Sequence, residues 1–315
     1  MLYTPQQVQG FHSYSIPCRV GNWAEDEYNA ALHTKRHHSQ REAGQLTSAK
    51  LDSTIGVARA PVTLASPHAD GFLRFGDVVM LSSGLGGALA HNVQEPMPLT
   101  HTAFQVSRTQ PLAEPVGRAC WRIVPTKTTP PNATLLTHGA DFCLEAAHVV
   151  GHEAIYLQGM RYTAHNLGYS ASVRGGERKM AAVGALEPSR ETVWQVQSLD
   201  PRAVAQIESE GQPVAANAFV ALRHANTQAR RGGAGQPRPL LLTTGDLPWQ
   251  VHLSSDEKKL VNHYGKEFEA NLFTDTEVAK SEWGVRDSKG LGAHNHWAFT
   301  TGPAAEPAAE PEAEA

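Results

Sequence analysis

The sequence predicts an all-β domain over residues 72–300, assembled from three related units. Three observations carry that reading: short alternating apolar runs set off by Gly, Pro and Asn, a recurrent strand start, and a recurrent strand end. The alternating runs begin at Phe72 and persist to about Phe299. Alternation between turn residues is the mark of half-buried strands. The starts read Gly76-Asp-Val-Val-Met-Leu81, Gly139-Ala-Asp-Phe-Cys-Leu144 and Asn217-Ala-Phe-Val-Ala-Leu222. Each opens on Gly or Asn, the residues that tolerate positive φ. Each then sets an apolar pair on one strand face: Val79 and Leu81, Phe142 and Leu144, Val220 and Leu222. The ends are same-face pairs led by tryptophan: Trp121 and Ile123, Trp194 and Val196, Trp297 and Phe299. Trp249 with Val251 and Trp283 with Val285 also fit the closing pattern.

Three start-and-close units predict a pseudo-threefold fold. One unit of few strands cannot bury its apolar side alone, whereas three around an axis share one core and leave few open edges. A β-trefoil meets these demands, with a generic sandwich or barrel as the alternative. The Trp and Leu positions are then core. The Gly- and Pro-rich connections at about 84–103, 165–190 and 226–247 become surface loops, where function is expected.

Ahead of this domain, residues 1–71 read as an arm and a helix. The first twenty or so residues are polar and punctuated by Pro5 and Pro17, which predicts an extended arm. Asn22 with Glu25 three residues on is a capping-box arrangement. Glu25, Asp26 and Glu27 fall where a helix dipole favours acids, and Lys35, Arg36 and Arg41 where it favours bases. The spacing predicts a helix from about Trp23 to Glu42. Its apolar stripe, Trp23, Tyr28, Ala31 and Leu32, is too thin to hold it alone, so it needs a surface to lie on. Residues 44–70 show no clear period. Residues 301–315, with proline at every fourth position from Pro303, predict a disordered acidic tail.

Charge narrows the functional classes. The chain carries 31 acidic and 27 basic residues, and four of the acids lie in the last thirteen residues. The body is therefore neutral, which argues against electrostatic capture by nucleic acid or a membrane surface. No apolar run reaches the ~18 residues of a membrane span, and no apolar stretch near the start is long enough for a signal peptide. The three cysteines, Cys18, Cys120 and Cys143, form no C-x-x-C pair and read as reduced thiols. The sequon Asn132-Ala-Thr134 then reads as a chance match.

Catalytic and cofactor motifs are missing. Ser82-Ser-Gly-Leu-Gly-Gly87 is glycine-rich but lacks the Gly-Lys-Ser/Thr ending of a phosphate loop. Sixteen histidines raise a metal site, with His37/His38, His148/His152 and His294/His296 closest together. A four-residue spacing suits a metal only on a helix, and Val149-Val-Gly151 between the second pair favours a strand and turn. Hydrogen-bonded or surface histidines are the simpler reading. No Gly-x-Ser-x-Gly elbow is present, and Cys120 and Cys143 lie in alternating apolar strands, where cysteine packs as a small hydrophobe. The Gln-x-Trp repeat of sugar-binding trefoils is replaced by Trp194-Gln195 and Trp249-Gln250. The expectation is a protein with no catalytic residues, no cofactor and no metal. A module for a glycan or small ligand is the alternative function. Arg230 and Arg231, with Arg238, form a small basic loop suited to an acidic protein surface.

Six segments in order resemble the cilia- and flagella-associated protein 161 family. They are Arg19-Val-Gly-Asn-Trp23 with Glu25-Asp26, Phe75-Gly-Asp-Val-Val-Met-Leu81, Asp141-Phe-Cys-Leu144, Glu210-Gly-Gln-Pro-Val-Ala-Ala-Asn217, Tyr264-Gly-Lys-Glu267 and Asn295-His-Trp297. The resemblance implies a trefoil similar to the MIR type and a structural microtubule inner protein. Such a protein sits in the lumen of ciliary doublets, held by α/β-tubulin and neighbouring inner proteins. Arg19, Asn22 and Trp23 on the arm, and Arg230 and Arg231 in the basic loop, are the expected partner-binding residues.

Overall fold

The computed structural model describes residues 23–97, 102–152, 154–161, 180–226, 251–280 and 286–302. The chain divides into two compact units, residues 1–54 and 55–315. In the first, helix α1 spans Trp23–Glu42, as its spacing predicts. It stops because Gly44 takes φ +63°. The Gln45 N–H then reaches back to the Gln40 carbonyl at 2.8 Å and the Gly44 N–H to Arg41 at 3.1 Å, a Schellman end that only glycine adopts without strain. A second helix, α2, runs Thr47–Ala58. Sequence reading left this stretch irregular because its composition carries no clear stripe.

The second unit is built on strands. Six of them close a barrel: β1 (Val78–Ser83), β4 (Cys120–Pro125), β5 (Asp141–Ala146), β8 (Trp194–Gln197), β9 (Phe219–His224) and β14 (Trp297–Thr300). Each pairs antiparallel with the next, and β14 returns to β1. A closed ring leaves no open edge in the barrel. Three hairpins complete the body: β2 (Leu89–Pro96) with β3 (Ala103–Arg108), β6 (Tyr156–Arg161) with β7 (Met180–Ala185), and β10 (Leu253–Asn262) with β11 (Gly265–Leu272). Strands β3, β7 and β11 pair with one another. The chain thus repeats barrel strand, hairpin, barrel strand three times. The third repeat carries an extra hairpin, β12 (Thr276–Lys280) and β13 (Arg286–Leu291). A short helix α3, Ala203–Ser209, precedes β9.

The threefold pattern extends to individual atoms. The indole N–H groups of Trp121, Trp194 and Trp297 donate to the carbonyls of Leu89, Leu157 and Leu253 at 2.9, 2.9 and 3.0 Å. A one-turn 3-10 segment precedes each tryptophan: Gly117–Ala119, Arg190–Thr192 and Ala293–Asn295. Leu73, Leu136 and Val214 close a ring of backbone hydrogen bonds: Leu73 to Val214, Val214 to Leu136, Leu136 to Leu73, at 2.9–3.0 Å. The turns that open each unit hold Gly76, Gly139 and Asn217 at φ +97°, +80° and +62°. Asn217 tolerates this because its amide exchanges hydrogen bonds with Thr301, both at 3.1 Å.

The six start and close pairs led by Val79, Phe142, Val220, Trp121, Trp194 and Trp297 lie in one core, with the three tryptophans and Phe142 and Phe299 among its largest buried side chains. The rings of Phe142 and Phe299 meet edge to face at 6.2 Å. Two expected loops contain strands instead. Leu89–Pro96 is β2 and Met180–Ala185 is β7; the first is mostly polar and the second rich in small residues, so neither shows a strong apolar alternation. The 226–247 stretch lies almost wholly outside the described residues.

Candidate functional site

Arg19, Asn22, Arg230 and Arg231 lie outside the described residues, as do Trp249, Trp283 and residues 303–315. Trp23 begins α1, with its side chain outside the description. On that helix Tyr28 is 68% exposed and Leu32, one turn on, is also exposed. Residues i and i+4 share a helix face, so α1 presents an apolar pair to solvent. Helix α3 does the same with Val204 and Ile207, and the β10 end of its hairpin does so with Val261.

Sequence reading missed a buried ion pair. Arg118 and Glu267 are both almost wholly buried and meet through two hydrogen bonds of 2.6 and 2.9 Å. Ser107 Oγ and Asn262 Nδ2 also donate to the carboxylate, at 2.6 and 2.7 Å. Asn92 accepts from the guanidinium and donates to Gln105 and Ser107. Burial pushes the Glu267 carboxyl up, but the Arg118 hydrogen bonds and charge, with Ser107 and Asn262, outweigh it and hold it below its ordinary value. The Tyr264 ring lies 3.8 Å from the Arg118 guanidinium carbon, and Arg59 stacks on the same ring at 5.7 Å while bonding the Tyr264 carbonyl at 2.8 Å. Tyr264 and Glu267 are the first and last residues of one of the six recognised segments. Their roles depend on Arg118, some 150 residues away, which no local pattern reveals.

Several of the described histidines are held by hydrogen bonds. His91 donates from Nε2 to the His148 carbonyl at 3.2 Å and packs edge-on against Trp121 at 5.9 Å. Burial, with the charge of Arg118, lowers its pKa to about 3. His252 sits between Gln197 Oε1 at 2.8 Å and Thr274 Oγ1 at 3.1 Å, and burial lowers it to about 4. His294 and His296 bond the carbonyls of Ser255 and Leu291, at 2.7 and 2.9 Å. His294 belongs to a 3-10 turn and not to a strand. Among the described residues no three His, Cys, Asp or Glu gather as metal ligands. Burial raises the Cys120 thiol to about 11 and raises that of Cys143, which keeps both protonated and unreactive. The glycine-rich run near Ser82 is the β1–β2 turn, with Gly86 and Gly87 at φ +83° and +81°.

A groove opens on the domain beside Asp141. It encloses about 380 Å³ and is lined by Phe75, Thr128, Pro130, Leu135, Asp141 and Gln195, among others. Asp141 and Gln195 are cross-strand partners on β5 and β8. The Gln195 amide donates to Asp141 Oδ1 at 2.6 Å, and Thr128 donates to Oδ2 at 3.0 Å. Arg223 donates to Gln195 Oε1, which orients the amide. Chemically the arrangement holds a fixed carboxylate and offers it to a donor.

Among the described residues no helix is long and apolar enough to cross a membrane. No family model matches the chain. Over 92% of its length it is similar, at 25% identity, to cilia- and flagella-associated protein 161 of Danio rerio, 88% of which is covered. That is the family the six segments resemble. Among solved structures it is similar to a Caenorhabditis elegans protein of unknown function (TM-score 0.47, 12% identity, 74% of this chain and 98% of that one). It is also similar to the SDF2-like protein from Arabidopsis thaliana (TM-score 0.45, 15% identity, 75% and 99%). These two scores are too low to carry an argument.

Proposed function

We propose that the chain is a member of the cilia- and flagella-associated protein 161 family. It would act as a non-catalytic structural inner protein of ciliary doublet microtubules, bound in the lumen to α/β-tubulin and neighbouring inner proteins. The observation that carries this reading is the likeness to the Danio rerio protein, which runs through 92% of the chain and is not confined to one module. We read the body as a β-trefoil, which the hydrogen-bond ring of Leu73, Leu136 and Val214 and the three equivalent indole bonds support.

A barrel unit with an exposed apolar pair on α3, and a separate helix α1 with another, suit a protein held by several neighbours. Buried, neutral histidines and protonated thiols suit a scaffold rather than a catalyst. The reading is tested by fractionating cilia. The protein is expected to stay with salt-washed axonemes and to leave only when the doublets are disrupted. Release with the soluble matrix would overturn it. A chain lacking residues 1–45 is expected to incorporate more weakly while keeping its β-sheet circular dichroism.

A further inference from the structure

We propose that the groove beside Asp141 is a docking pocket for a lysine or arginine side chain offered by an extended segment of a partner protein. The inference rests on the protein-binding reading above and names the chemistry of one contact.

The argument is one of charge, shape and rigidity. Asp141 is the one formally charged residue lining the groove among the described residues. A carboxylate has about four acceptor positions. Gln195 and Thr128, both neutral, take one each, so acceptor capacity remains for a cation. Glu210 adds a second acid, since its side chain passes beside Gly139, another lining residue. Arg223 offsets one of these charges from behind Gln195, where its guanidinium is already engaged. Lys127, on the same loop, is exposed and is not a lining residue.

The rest of the groove matches the stem of such a side chain. Phe75, Pro130, Ala133 and Leu135 supply apolar wall along which methylenes can lie. The volume falls in the range of small-ligand pockets, roughly 300–1,000 Å³. The walls are fixed. Thr129 Oγ1 donates to the Asp141 carbonyl at 3.1 Å and accepts from the Thr126 N–H at 3.0 Å, so the 126–129 loop is tied to the strand that carries the acid. A preorganised carboxylate loses little entropy on meeting its guest.

The test uses the full chain, labelled with nitrogen-15, and two blocked pentapeptides that differ only in lysine or norleucine at the centre. The lysine peptide is expected to shift the amides of Gly139, Ala140 and Gln195 saturably. Binding should weaken about tenfold or more with norleucine or with Asp141→Asn, the scale of a charge-assisted hydrogen bond. Glu210→Gln, at an exposed position, should weaken it by about two- to fivefold. Equal binding of the norleucine peptide, an unchanged affinity in a folded Asp141→Asn, or no saturable shift at these amides would overturn the proposal. A hexose that shifts the same amides more strongly than the lysine peptide would overturn it in favour of a glycan pocket. If Asp141→Asn does not fold, the norleucine comparison and Glu210→Gln decide. Retention of the wild-type protein on salt-washed axonemes is read separately, so failure of the pocket and failure of the scaffold reading are distinguishable.

Discussion

Glu267→Gln is the sharpest test of how the body is held together. Four donors converge on this carboxylate: Arg118 Nη1 and Nη2, Ser107 Oγ and Asn262 Nδ2, all within 2.9 Å. Three of them meet Oε2 and one meets Oε1. A glutamine has one acceptor oxygen with two lone pairs, and its NH2 group would point at donors. At least one former donor is orphaned, and the buried guanidinium loses its counter-charge. Leaving one member of a buried pair alone costs about 3–5 kcal/mol. At about 2–4 °C per kcal/mol for a domain near this size, the melting temperature should fall by roughly 6–20 °C. Thermal and urea unfolding by circular dichroism measure it. Replacing both partners, Arg118→Met with Glu267→Met, should recover much of the loss, because the desolvation cost disappears with the charges. A loss below about 1 kcal/mol in Glu267→Gln would refute the reasoning, since it is the figure for an ordinary exposed pair. The same carboxyl adds pH dependence. Its folded pKa lies below its unfolded one, so its stabilisation is complete above the unfolded value and fades as pH falls through the folded one.

The buried histidines act at higher pH. His91 and His252 are held neutral, at about 3 and about 4 against an ordinary 6.5. The unfolded chain therefore takes up protons first, and stability should fall from about pH 6.5 downward, by roughly 2–3 kcal/mol for each by about pH 4.5. A melting temperature flat across that range, or an equal slope in His252→Gln, would refute this. Gly87→Ala should destabilise by about 2 kcal/mol or more. Gly87 sits at φ +81° and an added Cβ would meet the Thr109 carbonyl oxygen; an unchanged urea midpoint would show that the β1–β2 turn relaxes. Trp→Phe at each closing position removes an indole donor and leaves a small void, about 2–4 kcal/mol. Trp297→Phe should cost least, because Asn295 Nδ2 also donates to the Leu253 carbonyl at 3.1 Å. Unfolding of the three variants ranks them, and Trp297→Phe as the costliest would contradict the bond accounting.

What could be read from the sequence was whatever is local and periodic. The α1 bounds followed from caps and dipole-favoured charges, and the core faces of β1, β5 and β9 from alternation after a turn residue. Helix α2 was not legible because Thr47–Ala58 has no acid in its first turn, no base in its last and no sustained stripe. Strand β7, Met180-Ala-Ala-Val-Gly-Ala185, is buried throughout. A strand buried on both sides shows no alternation, and small residues there reflect close approach: a Cβ on Gly184 would come within 2.6 Å of Ile155. The groove was not legible either. Phe75, Thr128, Asp141 and Gln195 come from four stretches of chain and meet only because β5 pairs with both β4 and β8.

The departures from threefold symmetry explain how a repetitive core specifies one pairing. The apolar positions are nearly interchangeable between units, so burial alone discriminates weakly among ways of arranging them. The position three residues before each closing tryptophan differs. It holds Arg118, Glu191 and His294, each in a 3-10 turn or directly adjoining its tryptophan strand. Each makes a different bond. Arg118 takes Glu267 from the third hairpin, Glu191 accepts from Asn226 at 2.6 Å, and His294 donates to the Ser255 carbonyl at 2.7 Å. Exchanging two units would bury Arg118 without its carboxylate or strand Glu267 among donors, a penalty of several kcal/mol. On this account the tryptophan and leucine core supplies the drive to fold, and the polar residue before each tryptophan assigns each unit its place.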